Sequence, residues 1–506
     1  MLSLHFKNLK RVILAHDLCF LALKCYFGNT FAYSNNGKVS VNVSYLKKSI
    51  QGFIMNFSKI GFVLAALGSS IGLGHIWRFP YMTGENGGGA FVMLYLILAL
   101  SIGVAMLVVE MLIGHTARKN ALDCYPALMA KDSKTKENPR FAWFGFTIIG
   151  GPFILSFYAI ILGWIFYYLA LSFSAYPSSA EEAKEIFENL AVHSFWIQSV
   201  CFSAMLAFTA FIVANGIKDG IERCNVVFMP LLFIIFIGLL VYACTMSGFS
   251  QSADFLFSFD ISKITPRVFI EAMGQVFFSL SLGVGTMVTY AIYTQERQNL
   301  LKSSLWIVFS GIAISLIAGL MIFAFLYEFG EKPSQGAGLI LKALPLAFGK
   351  MNAEIAQGVG QVVGALFFIA VIFAGITSTI SILEPCVAVV KEKRNTSQNK
   401  STWLVSFCIW IFGEVIILSA QPNLSEHFSI FGKSLFDSVA FVSSDFIMPI
   451  GGILAIIFVG YCLKREFLAK ASEHFFSKWQ FSVWLFIVRF VAPIVIVAIL
   501  AWEIAS

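Results

Sequence analysis

Charged residues are scarce in this chain. Lys, Arg, Asp and Glu make up 12% of its 506 residues, about half the share of about 25% found in globular domains. With 58% hydrophobic residues, most nonpolar surface must face something other than water, which excludes a soluble enzyme. Polar low-complexity tracts are short, and 53 Phe and 39 Gly recur without strict period, excluding disorder, coiled coil and collagen-like arrays. The nine Cys include no C-x-x-C pair. Cys201, Cys244, Cys386 and Cys408 lie within apolar segments, so neither a zinc site nor a disulfide framework is indicated. What is abundant is long apolar runs, and these describe a polytopic membrane protein.

Stretches long enough to cross about 30 Å of hydrocarbon, roughly 20 residues each, occur near 61–83, 88–114, 141–173, 194–214, 223–247, 268–294, 303–328, 355–390, 401–420, 435–462 and 480–503. Eleven spans are expected. With residue 60 cytoplasmic, the inside loops hold eighteen Lys and Arg and the outside loops seven, while Glu181, Glu182, Glu185 and Glu188 fall outside. That asymmetry predicts an N-terminus inside and a C-terminus outside. It accounts for most of the net charge of +7 and leaves a nucleic-acid partner without support. Residues 13–27 are apolar but interrupted by His16, Asp17 and Lys24, so they make neither a good span nor a signal peptide. Residues 1–54 read as an extension, either a cytoplasmic tail or a misassigned upstream start.

Two segments repeat a pattern that helices avoid. The first stretch contains Gly68-Ser69-Ser70-Ile71-Gly72-Leu73-Gly74 and the sixth Ser279-Leu280-Ser281-Leu282-Gly283-Val284-Gly285. Gly in a helix interior costs about 1 kcal/mol relative to Ala, so paired glycines at membrane depth predict unwinding. Lipid cannot satisfy the freed N–H and C=O groups, which are tolerated only where they line a cavity. Small residues also serve close helix packing. The recurrence at an offset of five spans, with Ser beside Gly each time, favours matched breaks around a transporter's midplane site.

The run Gly72-Leu73-Gly74-His75-Ile76-Trp77-Arg78-Phe79-Pro80-Tyr81, followed by Glu85-Asn86-Gly87-Gly88-Gly89-Ala90-Phe91, closely resembles the neurotransmitter:sodium symporter family. Gly274 to Gly283 and Ala374 to Ser381 extend the resemblance, which covers about 56–503. It implies an all-α fold of five-plus-five inverted repeats with helices 1 and 6 broken, plus an eleventh span as in the bacterial amino-acid branch. The transporter domain would be 55–503, with repeats at about 58–247 and 268–462 and the last span at about 480–503.

The resemblance also implies sites. A second sodium site would comprise carbonyls of Gly68, Ile71 and Ala374 with hydroxyls of Thr377 and Ser378, hard oxygens for a hard cation. A substrate carboxylate would meet the N–H groups of Leu73 and Gly74 and the Tyr158 hydroxyl. Its amine would meet carbonyls of Ser70, Phe278 and Ser279 and the Ser281 hydroxyl. Gly72 stands where monoamine carriers have aspartate, which implies an amino-acid substrate. Ile154, Phe278, Val284, Ser378, Ser381 and Ile382 would line the side-chain pocket, and Val284, smaller than its counterpart in a leucine-selective relative, leaves room for a bulky or aromatic group.

Some positions depart from the family. The first sodium site (Ser70, His75, Ser279 and Gly311) has His75 and Gly311 where asparagines are expected, opposite changes in volume that read as one coupled substitution. This site is expected to be degraded, with His75 either a neutral hydrogen-bonded group or a source of charge or a proton beside the carboxylate. The chloride candidates Tyr95, Gln275, Ser279 and Ser315 match, so chloride and proton both stand beside Na+ as possible ions. Among gate residues, Arg78, Tyr158, Phe278, Tyr293 and Glu392 match. The acid expected opposite Arg78 is Ala440, leaving Asp437 and Asp445, and the N-terminal gate positions are Phe53 and Asn56. Glu110 and Arg78 are expected to brace the first and second spans; Glu384, Glu414 and Arg489 are isolated charges with no nucleophile and base motif.

The reading is a sodium-coupled symporter of the plasma membrane, importing a hydrophobic or aromatic amino acid by alternating access with no enzymatic chemistry. The alternatives are a sensor or substrate-gated channel on the same fold, and proton-assisted transport through His75. The lipid bilayer and the substrate are the partners this implies.

Overall fold

The computed structural model describes residues 31–33, 39–41 and 57–505, apart from 333–337, 425–426 and 429–431. The chain divides into two units, Met1–Asn56 and Phe57–Ser506. In the first, Phe31–Tyr33 (β1) pairs antiparallel with Val39–Val41 (β2). The stretch 13–27 and the gate positions Phe53 and Asn56 lie outside the described residues.

The second unit is helical. Among the described residues, nine helices are long and apolar enough to cross a membrane. They are Gly89–Ala117 (α3), Pro139–Leu171 (α4), Phe195–Ala214 (α5), Ile217–Ala243 (α6), Leu300–Glu328 (α9), Val359–Arg394 (α10), Gln398–Ser419 (α11), Leu435–Cys462 (α12) and Lys478–Trp502 (α13). A bent pair, Lys59–Ser70 (α1) and Gly74–Glu85 (α2), turns through 49° and passes the same test when joined. The remaining apolar stretch, 268–294, forms Pro266–Ser279 (α7) and Thr286–Ile292 (α8), of 14 and 7 residues, too short to cross singly.

Local chemistry explains the boundaries. Ser58 caps α1, its Oγ accepting the Gly61 N–H at 2.9 Å, and Thr265 caps α7 ahead of Pro266, where a missing N–H is harmless. Between α7 and α8 three residues take left-handed φ: Ser281 (+52°), Gly283 (+86°) and Gly285 (+76°). Two are glycines, which adopt it freely; for Ser281 the conformation is strained.

Outward faces carry exposed Trp196, Ile234, Phe407 and Ile494, the surface a helix presents to lipid. The broken pairs sit inside. α1 packs on α6, α8, α9 and α10, and α7 on the first half of α3. Arg78 Nη1 donates to the Gly274 carbonyl (3.3 Å), and Glu110 Oε1 accepts the Gly283 N–H (2.7 Å). Both side chains therefore tie to the α7–α8 pair rather than bracing the first two spans: Glu110 takes a backbone N–H that the break leaves free, and Arg78 adds a donor to a carbonyl within α7.

Candidate functional site

The two breaks face each other. Ser70 Oγ donates to the Ser279 carbonyl and Ser281 Oγ to the Ser69 carbonyl, both at 3.0 Å. Between them is a cavity lined by ten of the thirteen residues expected around a substrate: Ser70, Gly72, Gly74, Ile154, Tyr158, Phe278, Ser281, Val284, Ser378 and Ile382. The other three stand just behind. The Leu73 N–H donates to the Tyr158 hydroxyl (2.8 Å), the Ser279 carbonyl takes the Ser70 bond, and Ser381 Oγ turns back to the Ser378 carbonyl (2.7 Å). Sequence reasoning missed Ser69 and Met448, which also line the cavity. Ser69 lies inside the repeated motif and was legible there; Met448, from α12, carries no motif.

The space is small. About 20 Å³ is open to the centre of a water-sized sphere, room for one or two waters, whereas ligand pockets run to about 300 Å³ or more. Admitting a larger molecule requires the helices around the breaks to move.

Beside the cavity, Gly68 meets α10. A β-carbon at Gly68 would lie 3.0 Å from Thr377 Cβ, and Ser378 Oγ donates to the Gly68 carbonyl at 3.2 Å. Ile71, Ala374 and Thr377 are fully buried there. Thr377 Oγ1 back-bonds within its own helix to Phe373 and Ala374 (3.0 Å each), while Ser378 reaches across to α1.

On the other side His75 occupies the space over Gly311. Its Nδ1 is 2.8 Å from the Ser70 carbonyl, an acceptor only, so Nδ1 carries a proton and donates. Nε2 is buried with no partner among the described residues and would lie 2.5 Å from a β-carbon at Gly311. The ring thus fills the volume that Gly311 leaves, and it sets a donor on the Ser70 carbonyl and a nitrogen beyond it, where a hard cation needs oxygens.

Tyr95, Gln275, Ser279 and Ser315 also converge. Gln275 Nε2 donates to Ser279 Oγ and to the Gly74 carbonyl, both at 2.7 Å, and Tyr95 faces Ser279 and Ser315. Both amide protons of Gln275 are therefore directed at the protein.

The cavity is flanked at each end. At one, the Arg78 guanidinium lies 5.0 Å over the Phe278 ring, with Tyr81, Asp445 and Glu271 as electrostatic neighbours. Asp437 instead serves the start of α12, its Oδ2 accepting from Ser434 Oγ at 2.6 Å. Of the two acids left open by the sequence, Asp445 faces Arg78. At the other end Phe57 packs edge-on to Tyr290 and Tyr293 (5.6 and 6.3 Å) and its N–H donates to the Tyr293 carbonyl (2.9 Å). Ser58 Oγ donates to Glu222 Oε1 at 2.5 Å, Arg118 Nη1 donates to the Ile292 carbonyl at 2.6 Å, and Asn120 Nδ2 donates to Glu392, the neighbour of Tyr293. Phe57, Ser58 and Arg118 were not singled out from the sequence.

Gly72 offers a sharp check on this geometry. A β-carbon there would fall 2.1 Å from Ser378 Oγ and 2.6 Å from the Tyr158 hydroxyl. Gly72→Asp is expected to block occupation of the cavity while leaving the protein folded, measured as loss of labelled-ligand retention at unchanged monodisperse yield. Retained binding would mean that Tyr158 and Ser378 do not close over the break.

Comparison with known proteins agrees with this arrangement. The sequence pattern of the sodium:neurotransmitter symporter family matches residues 55–191 and 183–506. An uncharacterized sodium-dependent transporter of Bacillus subtilis is 35% identical over 450 residues, spanning 87% of this chain and 96% of the relative. One of Methanocaldococcus jannaschii is 31% identical, over 87% and 88%. The sodium-dependent neutral amino acid transporter B(0)AT2 of Bos taurus is 26% identical over 53% of this chain and 40% of its own length. Among solved structures, MhsT in complex with L-phenylalanine superposes with a TM-score of 0.79 at 34% identity, over 88% of this chain and 99% of that one. Broken helices, cavity and relatives lead to one assignment: the chain belongs to the sodium:neurotransmitter symporter family, whose members are sodium-coupled membrane transporters and not enzymes.

Proposed function

We propose that this chain imports an amino acid with a hydrophobic or aromatic side chain, together with sodium, by alternating access across the plasma membrane. The observation that carries the reading is the two-ended cavity. The Leu73 N–H and the Tyr158 hydroxyl, 2.8 Å apart, stand where a carboxylate would be received, and the carbonyls of Ser70, Phe278 and Ser279 where an amine would be. Ile154, Val284, Ile382 and Met448 make an apolar flank between them. The L-phenylalanine held by the related structure supports that side-chain class.

Sodium would bind among Gly68, Ile71, Ala374, Thr377 and Ser378. Counting α1–α2 and α7–α8 as one span each makes eleven, with the N-terminus inside and residues 55–503 as the transporting domain. In the cycle α1 to α3 and α7 to α9 rock against the rest, opening the Arg78–Phe278 end and the Phe57–Tyr293 end in turn. A second reading, proton assistance, is favoured by one observation: His75 Nε2 is buried over Gly311 with no hydrogen-bond partner among the described residues.

Uptake into proteoliposomes tests this. Accumulation of labelled phenylalanine is expected under an inward Na+ gradient and not with choline. Thr377→Ala should raise the half-saturating sodium by about tenfold, equivalent to about 1.4 kcal/mol, with substrate KM at saturating sodium nearly unchanged. Comparing about pH 6 with about pH 8, on either side of an ordinary imidazole pKa of about 6.5, separates proton assistance, and gluconate in place of chloride tests Tyr95, Gln275, Ser279 and Ser315 as a chloride site. Binding without counterflow would favour the sensor reading instead.

A further inference from the structure

Asn225, in α6, is fully buried. Its Nδ2 donates to the Ile221 carbonyl one turn earlier at 2.8 Å. Only the amino end of the amide can donate to a carbonyl, so the orientation is determined and Oδ1 faces the opposite way. That way lies the junction of α1 and α10. A β-carbon at Gly68 would fall 1.8 Å from Asn225 Oδ1 and 3.0 Å from Thr377 Cβ. Oδ1 has no hydrogen-bond partner among the described residues.

A buried amide oxygen without a donor carries an uncompensated desolvation penalty, so such atoms call for an explanation. The groups gathered beside it do not supply a donor. Thr377 Oγ1 has turned to its own helix and Ser378 Oγ to the Gly68 carbonyl, leaving an oxygen-rich corner with surplus acceptors. Surplus oxygens are what a hard cation requires, and neutral amide oxygens are common among its ligands.

We propose that Asn225 Oδ1 is an additional ligand of the sodium ion held between α1 and α10. This rests on the sodium reading given above. It also answers the loss at the other site. The chain lacks the amides expected at His75 and Gly311, and it carries a buried amide oxygen on the far side of α1, against the site that keeps its oxygens.

The test is binding of ²²Na+ to purified protein, with sodium-dependent thermal stabilisation as a second readout that does not depend on transport. Asn225→Ala is expected to raise the half-saturating sodium concentration about tenfold, as Thr377→Ala does. Asn225→Asp, which keeps the oxygen and adds charge, is expected to lower it below wild type. If Thr377→Ala weakens sodium binding and Asn225→Ala does not, the proposal is overturned while the site stands. If neither variant changes it, the site itself fails. Should Asn225→Ala not fold, Asn225→Asp decides alone, and a half-saturation equal to wild type overturns the assignment.

Discussion

Gly283→Ala is expected to abolish transport and remove most of the folded protein. Gly283 has φ of +86°, a region that costs an L-residue roughly 1–2 kcal/mol. The larger effect is steric. A β-carbon would lie 1.9 Å from the Met448 carbonyl oxygen and 2.8 Å from its carbon, and backbone cannot swing aside as a side-chain tip does. The contact is mutual, since a β-carbon at Gly451 would meet the Gly283 oxygen at 1.8 Å. Shifting the break would also pull the Gly283 N–H from Glu110 at the core of α3. Backbone overlap and a lost buried bond together fall among the exceptional substitutions, above about 4 kcal/mol. Gly274→Ala is the control, because nothing lies within 4 Å of the added carbon; in mid-helix it should be neutral or stabilising by up to about 1 kcal/mol. Monodisperse yield in mild detergent and uptake give the comparison. Equal yields would show that α12 does not press on the break.

The second large effect concerns His75 and Gly311. Gly311→Asn alone is expected to eliminate sodium-driven uptake, because its β-carbon would lie 2.5 Å from Nε2 of an imidazole anchored by Nδ1 to Ser70. His75→Asn alone leaves the volume over Gly311 unfilled. The double variant should recover uptake, since a smaller group at 75 makes room for the amide at 311. Such coupling typically amounts to about 0.5–3 kcal/mol. The recovered carrier should also take up more sodium per substrate, two amide oxygens having replaced a nitrogen and a hydrogen, and should lose any dependence on pH that the imidazole confers. The ratio of ²²Na+ to substrate flux reads the first, and uptake across pH the second. A double variant as inactive as Gly311→Asn, or with unaltered ion and pH dependence, removes the coupled-substitution account.

The apolar helices were legible because long hydrophobic runs have few alternatives, and each run from 61–83 to 480–503 overlaps a helix or a broken pair, nine of them long enough to span singly among the described residues. The breaks were legible because Gly and Ser at mid-span conflict with helix formation. Five short helices, Cys124–Ser133, Ala180–Glu188, Gly248–Phe257, Leu344–Glu354 and Arg465–Ser472, escaped the span count, since none is long or apolar enough to register on a scale set by bilayer thickness. Side-chain reach was the other gap. Glu110 and Arg78 were visible as polar groups in apolar stretches, yet that both turn to the α7–α8 pair depends on how the helices pack and, for Glu110, on the Gly283 N–H that the break leaves free. Asp445 and Asp437 looked equivalent until Ser434 claimed Asp437. Asn225 reads as one more polar residue in α6, and its orientation emerges only from the Ile221 bond.

Several polar groups around the cavity are bonded to one another: Leu73 with Tyr158, Ser281 with the Ser69 carbonyl, Ser378 with the Gly68 carbonyl. A carrier must make two journeys, one loaded and one empty, and the empty journey buries the same groups with nothing to bind them. Pairs of this kind shield the groups they join on that return, whereas Ser69 Oγ, which also lines the cavity, has no partner among the described residues. For the proposed amino-acid substrate, the corollary is that its charged ends mostly exchange one bond for another on entry. Discrimination then falls to the side chain, and amino acids should be sorted by what they bury against Ile154, Val284, Ile382 and Met448.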